Sequence, residues 1–301
     1  MTVASRRLLG LALFASVLVF SHLPAAAQIA KQSARRGAPV AVADPADDLK
    51  QNDPHLTFWQ ARKMIVAELG TAYFTAVDSS SYNFSFDSLA FKMQLPRQRE
   101  FKSYTVDLKT LPKVIAQRGF AGMYRLKDEA GHDLPEPFKH IYWYGPGVER
   151  ITQSLANALN RLREIAGEDG MKLRNFEKAA AEWRDASTKP ELAEEVRAQQ
   201  LLAENALKEE NSGKALYHYE RGIEFYPVWF EGRYNAALIA AELNYYSEAV
   251  EHMQAFLKLA PDSPEAPGAR DQIVIWKDKA MEKSATSPAE QAQGRSLSRK
   301  K

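Results

Sequence analysis

No cysteine occurs among the 301 residues of this chain. That absence removes disulfides, thiolate metal sites and cysteine nucleophiles together. Histidine is scarce, with six in all. His22 lies in the apolar leader, and His55, His132, His140, His218 and His252 are read as lacking the His-x-x-x-His or carboxylate-paired spacing of zinc sites. There is no glycine-rich phosphate loop: Gly119-Phe-Ala-Gly122 is too short and falls between strand candidates. A Gly-x-Ser-x-Gly nucleophile elbow is absent as well. Neither sign of charge dominates, with 40 basic and 38 acidic residues for a net of +2. That balance argues against a general nucleic-acid binder, which needs a concentrated basic face. Glu194-Glu195 and Glu209-Glu210 read as solvated helix faces, and a carboxylate pair assembled only in space leaves no mark on a sequence.

Long apolar runs are also missing, apart from one. Arg6 and Arg7 precede an apolar stretch from Leu8 to Phe20, followed by Pro24-Ala-Ala-Ala27. This is the pattern of a secretory signal peptide over residues 1–27, cut after Ala27. The stretch is too short for a spanning helix, which needs about 20 apolar residues. A periplasmic or secreted location is therefore expected, with no transmembrane segment once the signal is removed. Residues 28–53, rich in Ala, Gln, Arg, Asp and Pro, are expected to be a disordered linker. Residues 284–301 are expected to be a disordered basic tail ending in Arg299-Lys-Lys301, a solvated end with weak membrane-surface contact as its other reading.

Between these ends the fold class reads as α+β. Residues 54–167 form the strand-rich part. Trp59, Met64, Val66 and Ala67 begin a helical pattern that runs to about Ala72. The period then becomes two. Tyr82, Phe84 and Phe86 alternate, as do Leu89, Phe91, Met93 and Leu95, and a slip at Asp87-Ser88 suits a tight turn. Tyr104, Val106 and Leu108 predict another strand, Gly122 to Leu126 a shorter one, and Phe138 to Tyr144 an aromatic one stopped by Gly145-Pro146-Gly147. Tyr142-Trp143-Tyr144, with His140 nearby, could stack a sugar or meet a lipid headgroup, but reads first as a half-buried strand. Val148, Ile151, Leu155, Leu159, Leu162 and Ile165 form one helical stripe. Residues 168–189 are a helical connector with Phe176, Ala179, Ala180 and Trp183 on its apolar face.

The clearest periodicity comes last. Pro227 and Pro261 lie 34 residues apart. Leu202-Ala203, Ala206, Ala215, Tyr219 and Gly222 lead into the first, and Ala236-Ala237, Ala240, Ala249, Met253 and Phe256 into the second. A fixed period with small residues at matching places and a closing proline marks a helical-hairpin solenoid. Residues 190–262 would hold two such units. Phe256 stands where a small residue is expected and predicts a wider helix spacing. Ala269, Ile273, Trp276 and Ala280 predict a capping helix over residues 263–283.

The segment from Arg233-Tyr-Asn-Ala-Ala through Ala249 to Pro261-Asp262 resembles a tetratricopeptide repeat almost throughout. The copy from about 196 to 229 is a looser match without a large aromatic near its start. The order of strands followed by one helix in residues 54–167 is similar to the half-barrels of the pleckstrin-homology and GRAM type. The repeat resemblance implies that a protein partner lies along the inner face of each first helix. Those positions are Arg197, Gln200, Leu201, Glu204 and Lys208, then Glu231, Tyr234, Asn235, Leu238 and Glu242. Asn235 matches the asparagine that many such repeats use to hold a peptide backbone. The basic residues that clamp a C-terminal carboxylate are missing beside it. The expectation is an exported, non-enzymatic interaction protein of a cell-envelope assembly, without cofactor or metal. The alternative is a lipid- or glycan-binding module in which the strand region recognises the ligand and the repeats act as spacer. A third reading, an enzyme in the strand region, needs a histidine–acid cluster that the sequence alone does not reveal.

Overall fold

The computed structural model describes residues 56–298 except 73–74, 79–80, 96–97 and 168–169. The expected signal peptide and the linker at 28–53 lie outside the described residues. The first helix, α1, spans Phe58–Leu69. It starts at a capping box: Gln60 donates its N–H to the Thr57 hydroxyl, and the Gln60 amide oxygen accepts from the Thr57 N–H, both at 3.1 Å. Strands β1 (Ala76–Val77), β2 (Asn83–Phe84), β3 (Ser88–Gln94) and β4 (Lys102–Asp107) follow. They form an antiparallel sheet with β3 in the middle, β4 on one side, and β1 and β2 sharing the other. Phe84 faces Leu89 across a turn at Ser85–Ser88, so the expected parity slip is a hairpin. Leu89, Phe91 and Met93 alternate inward along β3, and Leu89 pairs with Val106 of β4. That is the period-two pattern of a half-buried strand.

Two expectations for this region are corrected. A strand not read from the sequence, β5 (Val114–Arg118), pairs with β6 (Tyr124–Asp128) as a separate hairpin. The described strands thus form two open sheets rather than one half-barrel. The aromatic strand expected at Phe138–Tyr144 is instead a 3₁₀ turn at Phe138–His140, followed by one bridge between Trp143 and Tyr124. Pro135 and Pro137 immediately precede it and lack the N–H groups that a ladder needs. The aromatic content is spent on packing: Phe138, Ile141 and Trp143 are buried, and the Trp143 indole N–H donates to the Glu68 carbonyl.

Helix α2 (Val148–Ala166) buries Val148, Leu155, Leu159, Leu162 and Ile165 against α1 and β5, as its stripe predicts. Two short helices, α3 (Met171–Arg174) and α4 (Phe176–Asp185), lead to α5 (Glu194–Lys208), α6 (Ser212–Phe225), α7 (Phe230–Glu242) and α8 (Tyr246–Leu259). Helix α5 packs on α6 and α7 on α8, while α6 joins the two pairs. Both ends of α6 recur 34 residues later in α8, Ser212 at Tyr246 and Phe225 at Leu259. The loops recur too. Glu210 and Asn244 both take positive φ, 57° and 61°. The next residue of each loop, Asn211 or Tyr245, bonds back to the carbonyl of Ala206 or Ala240. This is a Schellman-type stop, in which an orphan carbonyl is satisfied through one left-handed residue. Asparagine tolerates that conformation better than glutamate. Glu210→Gly should therefore raise the unfolding free energy by about 1 kcal/mol, read from urea denaturation.

The last helix, α9, runs from Ala266 to Ser298. It covers α8 with Ala269, Ile273 and Trp276 buried, as expected of a cap. Its backbone stays helical well beyond residue 283, where a disordered tail was expected. Helix α4 packs Ala180 with Val228 and Leu259, and Phe176 and Trp183 join them. The strand unit and the helical array share one continuous core, from Leu56 to Trp276.

A buried polar seam as candidate functional site

Helix α1 carries no acidic residue in its first turn, although a helix N-terminus favours negative charge and exposes N–H groups. Two carboxyl groups of α6 meet that end instead. The Phe58 N–H donates to Glu224 at 2.7 Å. The Thr57 hydroxyl, which accepts from Gln60, donates in turn to Glu220. One turn along α1, Arg62 makes a bidentate pair with Glu251 of α8, both contacts at 2.7 Å. Lys63 bonds Glu248 at 3.0 Å and lies 3.6 Å from Glu220. From α2, Arg161 reaches Glu224 at 2.9 Å and the Leu56 carbonyl. The strand unit is thus docked on the second helices of the two hairpins by a line of charged contacts.

At the centre lie Glu220, Glu248 and His252. One donor atom from each falls within 4.8 Å of the others. Glu220 and His252 have no exposed surface, and Glu248 has 8%. The Trp59 ring covers the imidazole at 4.5 Å between centroids. Arg233 of α7 approaches His252 Nδ1 at 3.3 Å, and its guanidinium lies over both Trp59 and Phe176. Burial depresses Arg233 to about 9, with Glu251 opposing the shift, so it stays a cation at neutral pH. Burial likewise drives His252 well below its ordinary value, and Arg233, Lys63 and Arg62 push it the same way. The imidazole is neutral, and Nδ1 is the acceptor for Arg233. Burial, with Glu248 beside it, lifts Glu220 well above the usual glutamate range despite the opposing pull of Lys63. On Lys63 burial works against the charge, and the two glutamates outweigh it to raise the group.

The trio has the donor types and spacing to hold a divalent ion. The positive charge it calls for is already supplied by the Lys63 ammonium, with two guanidiniums close behind. A metal would have to displace that ammonium, so the trio fits a lysine-neutralised polar seam better than a metal centre. Chemically, Glu220 and Glu248 can share a proton, in a seam where Glu220 has no exposed surface.

The pH dependence separates two of these groups. The folded state keeps the Glu220 proton above 4.5, where an unfolded glutamate has lost it. Its contribution is therefore full in acid and is lost as pH rises through the folded value. His252 behaves oppositely: unfolded histidine gains a proton near 6.5, the folded one does not, and stability falls as pH drops below that point. Glu220→Gln should accordingly gain stability relative to wild type as pH rises above 4.5, whereas His252→Gln should flatten the loss below 6.5. Urea midpoints across that range measure both.

The sequence pattern does not announce this seam, because the histidines are read as lacking carboxylate-paired spacing. Glu248 and His252 are four residues apart on one helix and share a face, which was the available signal. Nothing local marks Glu220 or Lys63.

The positions expected to line a groove are distributed as follows. On α5, Arg197 and Lys208 are exposed, Leu201 is 65% exposed, and the Gln200 amide donates to a half-buried Glu204 at 3.0 Å. Arg197, Leu201, Glu204 and Lys208 follow helical spacing and form one stripe. On α7, Glu231 and Glu242 are exposed, and Tyr234 and Leu238 are half-buried. Tyr234 packs on Phe256 at 5.0 Å between ring centroids. Asn235 is the correction. It is buried, its amide N–H₂ donating to the Tyr219 hydroxyl at 3.3 Å, so it joins the hairpins and is not presented to a peptide. Its neighbours in sequence take the outer stripe because α7 buries the face that meets α6 and α8. Among the described residues, no helix is long and apolar enough to cross a membrane. Comparison with protein-family models, with curated proteins and with solved structures gave no match.

Proposed function

We propose that this chain is a non-enzymatic binding protein of the tetratricopeptide-repeat kind, exported to the cell envelope, that holds a segment of another polypeptide along α5 and α7. One observation carries the reading. The strand unit docks on α6 and α8, through Glu220, Glu224, Glu248 and Glu251, and leaves the outer stripe of the first helices open. Leu201 and Leu202 stand 65% and 45% exposed on α5, with Tyr234 and Leu238 partly open on α7. Of the five α7 positions implied by the resemblance, Glu231 and Glu242 are exposed and Tyr234 and Leu238 half-buried, and the 34-residue recurrence of helix ends and loop geometry supports the same reading. Glu204, Glu231 and Glu242 give the stripe acidic points beside its apolar ones. A segment with apolar and basic character is the complementary ligand, anchored at a few positions rather than by area.

The test is photo-crosslinking in the native host, with the probe placed at Leu201 or Tyr234, and at the exposed Lys178 of α4 as control. Discrete polypeptide adducts at the first two positions, lost on adding Leu201→Glu to the Tyr234 probe chain, are the expected result. Adducts equal at Lys178, or none at the first two positions, would overturn the assignment.

A further inference from the structure

Phe120 is 88% exposed, more than any other large apolar side chain among the described residues. It sits at the tip of the β5–β6 hairpin, in a loop closed by the Gly119 N–H donating to the Met123 carbonyl at 2.7 Å. The next residue, Ala121, takes positive φ at 57°, and Gly122 follows at 76°. A non-glycine residue held in that region is strained, and such strain gathers at functional loops. The hairpin therefore spends stability on presenting the phenyl ring rather than folding it away.

The surroundings are mainly aromatic and basic, with one carboxylate, Glu149, hydrogen-bonded to Tyr124. The bridge between Tyr124 and Trp143 sets Tyr144, 56% exposed, opposite Met123 at the same end of the sheet. In the hairpin register Arg118 faces Tyr124, and Arg125 faces Gln117. Successive residues of a strand alternate in face, so the two arginines flank the tip on opposite faces. Neither makes an ion pair among the described residues, although Arg125 lies within the field of Asp133, the carboxylate that pairs with Lys127. An apolar ring at the apex, an amphipathic tyrosine beside it and two guanidiniums behind it match the layers of an anionic bilayer surface. Hydrocarbon takes the phenyl group, the interface takes tyrosine, and phosphates take arginine. We infer that the β5–β6 tip is a membrane-contact element that inserts Phe120 into anionic lipid.

The absence of cysteine makes a clean test. In the full chain, Phe120→Cys carries an environment-sensitive fluorophore, and Lys178→Cys carries the same dye as control. Phosphatidylcholine vesicles containing phosphatidylglycerol should brighten and blue-shift the dye at 120 and leave that at 178 unchanged. Pure phosphatidylcholine should give a much weaker response. In vesicle flotation of the unlabelled chain, Phe120→Ser should weaken binding by about tenfold, and Arg118→Gln with Arg125→Gln by about tenfold or more. No change at position 120, an equal change on neutral vesicles, or wild-type flotation of Phe120→Ser would overturn the inference. A response to lipid-free envelope protein but not to vesicles would assign the tip to a protein partner, and would overturn it as well.

Discussion

Lys63→Met should lower the unfolding free energy by about 3–5 kcal/mol. Methionine keeps the length of the stem but removes the ammonium that Glu248 holds at 3.0 Å and that lies 3.6 Å from Glu220. Both carboxyl groups would then face each other in a buried seam without their cation. Removing one partner of a buried pair leaves the other's desolvation uncompensated, which is why the loss exceeds that of a surface pair. Urea unfolding gives the magnitude, and hydrogen exchange of the α1 amides shows whether the helix loosens from α6 and α8. Adding Glu248→Gln to the same chain should recover much of the loss, since it removes the carboxylate left without its cation. A single variant within about 0.5 kcal/mol of wild type would show that the seam does not hold the two halves together.

Trp229→Ala should be comparably damaging, at about 3–5 kcal/mol. The indole is 1% exposed and lies between two glycines, Gly222 on α6 and Gly232 on α7, where a Cβ at either would strike the ring. It also packs on Tyr219 at 5.7 Å between centroids. Alanine would leave a cavity at the junction of the two hairpins, which close-packed helices cannot collapse to fill. Gly232→Val attacks the same contact from the other side and should destabilise through overpacking. Thermal unfolding reads both changes, and a shift of only a degree or two for Trp229→Ala would mean that the hairpins are held elsewhere.

Much of the helical half was legible because its determinants are local. Ala215 and Ala249, Tyr219 and Met253, and the two prolines declare a repeat, and helix ends and loop φ angles recur at the same spacing. Gly222 appears in the repeat pattern only as a small residue, and its partner Trp229 becomes visible in the fold. Phe256, in a place where a small residue is expected, predicts a wider helix spacing. The structure covers its ring with Tyr234 and Phe230, so part of the expected groove is packing. The strand half was less legible. Val114 to Arg118 has too little alternation to declare a strand, and the aromatics of 138–144 are buried by a turn and a bridge rather than by a ladder.

The sequence by itself determined that two helical hairpins follow one plan and where the prolines close them. Backbone bonds between near neighbours, proline stops and periodic apolar stripes act within a few residues. Only the tertiary structure decided that Glu220, more than 160 residues from Thr57, would sit at the N-terminus of α1, that Asn235 would turn inward, and that Phe120 would stand in solvent. A glutamate is polar wherever it is written. Whether it is solvated, protonated or paired with Lys63 depends on what the fold brings over it, because desolvation and Coulomb attraction depend on distance in space and not along the chain.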